Sequence, residues 1–122
     1  MNYLKIIIIL LFAIIHGLHG EIIEVTSIES TIDNSIDQYK LKSLFTGKDR
    51  KINIVVLKNG TTHEAFIKQY VNKTSMQFKQ HWKKLLFTGK ASLPHQCSDE
   101  NKMVEYLFKN PNHIGYIHAK NF

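Results

Sequence analysis

Asn59-Gly60-Thr61-Thr62-His63 is the stretch of this chain with the most chemistry in it. Glycine lets a backbone approach an anion closely. Two threonine hydroxyls can donate hydrogen bonds. If a helix opens here, its free amides and the positive end of its dipole add to the pull on an anion. His63 brings an imidazole that is mostly neutral at pH 7 and charged below its pKa. The pattern points to oxyanion binding, with Asn59, Gly60, Thr61, Thr62 and His63 as candidate ligands. Thr61 and Glu64 also have the spacing of a capping box, in which each side chain satisfies a free amide at a helix start. Capping alone leaves the same letters.

The remaining reactive side chains are dispersed. Seven histidines occur, two of them (His16 and His19) near the N-terminus. His95 and Cys97 lie two apart with His81 upstream, which is no zinc-site spacing, and there is no second cysteine to complete one. His63-Glu64 begins like a helical zinc-protease motif, but Ile67 stands where its second histidine belongs. Paired carboxylates, a Gly-x-Ser-x-Gly elbow and a phosphate-loop motif are all missing from the sequence. A non-catalytic protein without metal or cofactor is expected.

The first twenty residues carry a different signal. Lys5 gives a basic start, Ile6 to Ile15 is an unbroken apolar run, and His16-Gly17-Leu18-His19-Gly20 brings small and polar residues. This is the layout of a secretory signal peptide, residues 1–20, cut after Gly20. The apolar run falls short of the roughly 20 residues needed to span a bilayer. The expected product is one domain, 21–122, periplasmic or secreted, and not membrane-spanning after cleavage. The single cysteine, Cys97, allows no disulfide within one molecule, so packing must hold the fold. The net charge of +6 favours anionic partners. The lysines are scattered, without the run that marks a nucleic-acid arm, so no nucleic acid is expected as partner.

The elements that must position the candidate site read from hydrophobic period. Glu21 to Ile28 is β-branched and reads as a strand. Asp33-Asn34-Ser35 offers caps for a helix carrying Ile36, Leu41, Leu44 and Phe45. Ile52 to Leu57 reads as a strand buried on both faces. A helix opens at Thr61 or Thr62 with Phe66 and Tyr70 on its face. Thr74 and Gln77 repeat the capping-box spacing ahead of Phe78, Trp82, Leu85 and Leu86, an amphipathic stripe. Ala91 to Cys97 is a loop or short edge strand containing Pro94. Ser98-Asp99-Glu100 starts a helix whose Met103, Val104, Leu107 and Phe108 face inward. Asn110-Pro111-Asn112 stops it, and Ile114 to Ile117 is a last short strand. The order is roughly β-α-β-α-α-(β)-α-β, which argues for an α/β layer structure with a small sheet.

The pentapeptide Leu-Phe-Thr-Gly-Lys occurs twice, at 44–48 and 86–90. Both copies fall where an amphipathic helix must stop. Leu and Phe are expected as last core contacts, with Gly in the left-handed position beyond the final turn. The flanks differ, so a duplicated ligand loop is the weaker reading.

Four motifs in order carry a family resemblance: Leu44-Phe45-Thr46-Gly47-Lys48, the buried strand into Asn59-Gly60-Thr61-Thr62-His63-Glu64-Ala65-Phe66, Trp82 to Lys90, and Asn110-Pro111-Asn112-His113-Ile114-Gly115-Tyr116-Ile117. From about Thr31 to Ile117 the chain resembles the substrate-binding proteins of phosphate ABC transporters, most of all their short, single-lobe exported members. The resemblance implies a single lobe of a type-2 periplasmic-binding-protein fold, a small mixed sheet flanked by about four helices. It implies phosphate or a related oxyanion as ligand, held at Asn59–Thr62, and an ABC permease or another envelope protein as partner. His63 stands where the short relatives often carry arginine, and the second lobe of the full-length proteins is missing. An interaction module that kept the fold and lost its ligand is therefore the alternative expectation.

Overall fold

Ile54, Val55, Val56 and Leu57 are all buried, although successive residues of a strand face opposite ways. A strand of this kind must be covered on both sides, and that requirement organises the chain. The computed structural model describes residues 23–27 and 37–118. The expected leader, the caps at 33–35, Ile36 and the chain end lie outside the described residues. Within them the order is β1 (Ile23–Ser27), α1 (Gln38–Phe45), β2 (Asn53–Leu57), α2 (Thr61–Phe66), a π-helical turn (Ile67–Val71), α3 (Ser75–Phe87), β3 (His95–Cys97), α4 (Glu100–Lys109) and β4 (His113–His118).

The four described strands form one sheet in the order β1-β4-β2-β3. β2 runs parallel to β3 and to β4, and β1 pairs with β4 antiparallel, from Ile23↔His118 to Ser27↔Ile114. The fold is thus mixed α/β, with four α-helices around a small sheet of which three strands are parallel. Helices cover both faces. A Cβ on Gly115 of β4 would collide with Met103 of α4, while the next residue, Tyr116, stacks on Phe66 of α2 with ring centroids 3.9 Å apart and planes 3° apart. Phe45 of α1 closes edge-on against Phe66 at 4.8 Å, so α1 and α2 share one layer and α4 forms the other.

The helix starts obey local rules. Asp37 caps α1 by accepting from Lys40 N at 2.8 Å, closer to the helix than the caps expected at 33–35. Thr74 and Gln77 make both bonds of a capping box, and Asp99 caps α4. The π-helical turn ends on Asn72 in the left-handed region (φ 59°), a conformation that asparagine tolerates better than most residues.

The two pentapeptide copies build matching helix ends. Thr46 and Thr88 each donate their hydroxyl to the carbonyl four residues back, at 2.6 and 2.8 Å, and Gly47 and Gly89 each take positive φ. Their surroundings differ. Leu44 and Phe45 are fully buried, whereas Leu86 is 43% and Phe87 84% exposed. The second pair is therefore not a set of core contacts, contrary to the expectation from its letters. α3 is anchored instead by its middle. Trp82 donates its indole N–H to Phe45 O at 3.0 Å, and His81 Nε2 reaches Thr46 O at 2.8 Å. These bonds satisfy carbonyls at the end of α1 that have no partner within the helix, and in the last turn of α3 Leu85 packs against the core while Leu86 and Phe87 face solvent. Phe108 on α4, also expected inward, is 43% exposed. Among the described residues no helix is long and apolar enough to cross a membrane.

Candidate functional site

The chain passes from β2 to α2 through Lys58-Asn59-Gly60. Gly60 is the N-cap, with φ 106° and ψ 172°, a region open essentially to glycine, and it supplies no side-chain cap. Thr61 is already the first helical residue, so the expected Thr61–Glu64 capping box does not form; Glu64 N instead bonds Gly60 O at 3.0 Å. Asn59, Gly60 and Thr61 are exposed at the carboxyl end of β2.

Thr62 and His63 turn the other way. The Thr62 hydroxyl donates to Glu100 Oε2 at 3.1 Å, and the second oxygen of that carboxylate accepts from the backbone N–H of His118. Glu100 thereby ties the start of α2 to the end of β4. His63 is only 5% exposed, between Phe78 and Tyr116. The Tyr116 hydroxyl accepts from Leu57 N–H at 3.0 Å and lies 2.5 Å from His63 Nδ1. Burial pushes the Tyr116 phenol far above its ordinary value, so it keeps its proton. That proton needs an acceptor, and the Nδ1 lone pair is the one in reach. Burial also pushes the His63 pKa down, against a smaller opposing effect from Glu64. His63 is therefore neutral with its proton on Nε2. The sequence suggested a charged helper for an anion; the fold makes it a core histidine that accepts from a tyrosine.

Asn59 and Gly60 open onto a groove of about 460 Å³ between α3 and the β2–β3 side of the sheet. Lys79 and Lys83 stand one turn apart on the α3 wall, and Lys58 joins them from the end of β2. Glu64 is the one carboxylate on the rim. Phe78 and Trp82 lie beneath, and Met76 with Leu93 and Pro94 adds apolar surface. The groove therefore brings together Asn59, Gly60 and part of His63 from the expected set, while the Thr62 hydroxyl is engaged with Glu100. In parallel sheets the space beyond the carboxyl ends of the strands is the usual ligand position.

The other reactive side chains do not converge. His95 stacks on Tyr106 at 3.9 Å, and His113 meets the same ring edge-on at 5.4 Å. Cys97 is buried, and burial raises its thiol pKa. Among the described residues no three His, Cys, Asp or Glu side chains are grouped so as to hold a metal ion.

Comparison of the chain with family models, with curated proteins and with solved structures gives no match. The class defined by its architecture is mixed α/β.

Three residues of this region were not legible as a group. Lys58, Lys79 and Lys83 read as scattered solvated lysines; only the i, i+4 spacing of the last two hinted at one face. Glu100 reads in the sequence as part of a helix start and Tyr116 as part of a strand; their bonds to Thr62 and His63 span 38 and 53 residues and leave no local pattern.

Proposed function

We propose that this chain is a single lobe of the type-2 periplasmic-binding-protein kind, exported to the periplasm or secreted, and that it binds phosphate or a related oxyanion without catalysis. The carrying observation is the junction at Gly60: a helix start without a side-chain cap opens onto a groove bearing Lys58, Lys79 and Lys83. Asn59, Gly60 and Thr61 are its exposed polar part. Backbone amides and lysine ammonium groups replace the arginine fork that a planar bidentate grip would use. The four motifs that resemble phosphate-transporter binding proteins support association with ABC transport. The lysines attract dianions over monoanions and lose force with salt.

Calorimetric titration with inorganic phosphate at low salt, with sulfate as competitor, tests this. Saturable binding should weaken about tenfold in Lys79→Ala/Lys83→Ala. Between pH 8 and pH 6 sulfate affinity should rise less than a histidine of ordinary pKa in the site would make it rise, because burial pushes the His63 pKa down. No heat at millimolar phosphate would end the reading.

A second reading is favoured by one observation, the exposure of Leu86 and Phe87 at the end of α3. Two adjacent large apolar side chains in solvent suit docking on an envelope protein. Crosslinked partners lost in Phe87→Ser, together with absence of phosphate binding, would select it.

A further inference from the structure

The groove beside Gly60 is not shaped for a bare tetrahedral anion. Its volume, about 460 Å³, lies in the range of pockets that hold small organic molecules. Its walls are of two kinds. Lys58, Lys79 and Lys83 outnumber the single carboxylate, Glu64. Between them Met76 and Leu93 leave 63% and 50% of their surface in solvent, above buried Phe78 and Trp82. Inorganic phosphate can use the ammonium groups but covers little of the apolar surface. Water then stays on that surface, and the exposed methionine and leucine gain nothing.

We infer that the ligand of this groove is an amphipathic oxyanion: a phosphate monoester, or a comparable dianion, carrying a compact aromatic or aliphatic group. This rests on the oxyanion reading and sharpens it. The charged group sits among the lysines and the apolar group against Met76 and Leu93. Methionine suits the role, because its unbranched, polarizable side chain adapts to varied shapes and makes favourable contacts with aromatic rings. A second copy of the chain is a poor occupant. The face is basic in a chain of net charge +6, so two such faces repel. An anionic small molecule matches the charge and the volume together.

The test uses three probes on the protein: phenyl phosphate, inorganic phosphate and benzyl alcohol, each titrated by calorimetry at low salt. Phenyl phosphate should bind about tenfold more tightly than inorganic phosphate, the gain expected when part of a ring leaves water. In Met76→Ser/Leu93→Ser the ratio of the two affinities should fall toward one. Both substitutions replace exposed side chains, and an unchanged melting temperature verifies that the fold stands. Equal binding of the two phosphates by the unmodified protein overturns this inference and leaves the oxyanion reading intact. Benzyl alcohol binding as tightly as phenyl phosphate also overturns it, because the groove would then recognise only the ring. Binding of none of the three removes the oxyanion reading and this inference together.

Discussion

Replacing Tyr116 by phenylalanine isolates the hydroxyl that joins β2, β4 and α2. Pairing between β2 and β4 covers only Asn53↔His113 and Ile54↔Ile114. Beyond it the Leu57 N–H is taken by Tyr116 Oη, which also donates to His63 Nδ1. Phenylalanine keeps the stack on Phe66 and removes only the oxygen. Two buried polar groups then lose a partner, at about 1–3 kcal/mol each. Part of the loss is recovered if water enters, so a total of about 2–4 kcal/mol is expected. Against a typical domain stability of about 5–15 kcal/mol, the variant should still fold. Urea unfolding followed by Trp82 fluorescence measures the difference. The pH dependence supplies a second readout. The folded imidazole titrates below its ordinary value of 6.5, so between the two pKa values the unfolded chain holds more protons. Stability is therefore fully present above the unfolded pKa. It falls as pH drops through that value toward the folded one, with a slope of at most about 1.4 kcal/mol per pH unit. Tyr116→Phe removes a donor to the neutral ring, which eases protonation and makes this slope shallower. A loss under about 0.5 kcal/mol, or an unchanged slope on the acid side, would refute the assigned network.

Other substitutions separate carpentry from site. Phe45→Ala should cost about 3–5 kcal/mol in a denaturation curve, while Phe87→Ser should stay within about 0.5 kcal/mol, although both occupy the same place in an identical pentapeptide. Gly115→Val should destabilise by about 1–3 kcal/mol, because its side chain meets Met103 and Leu107, and Met103→Ala should restore part of that loss. At Gly60 the space around a new Cβ is open but φ is 106°, so Gly60→Ala should cost about 1–3 kcal/mol through backbone strain alone. A smaller thermal shift for Gly60→Ala than for Gly89→Asn would contradict that, since asparagine accepts the left-handed region.

Legibility in the sequence followed the range of the interaction. The Thr74–Gln77 box, the Asp99 cap and the two Thr-Gly helix ends were readable because each device spans only a few residues. The Thr61–Glu64 box failed although its spacing was right. Gly60 had already taken the N-cap position, and the tight exit from β2 decided where the helix began. His63 shows the same limit for chemistry. Its neighbours in sequence suggested an anion ligand, and Tyr116, 53 residues on, turned it into a buried acceptor.

The sequence by itself determined the element order, the buried central strand and the polar Asn59–Thr61 corner, because hydrophobic period and capping chemistry are local. Tertiary structure alone decided which copy of the pentapeptide would bury its Leu and Phe and which would leave them exposed. It also decided that Thr62 would give its hydroxyl to Glu100, and that lysines from the β2–α2 connection and α3 would line one groove. These outcomes depend on which surfaces the sheet brings together, and burial and electrostatic fields exist only once distant segments share the same space.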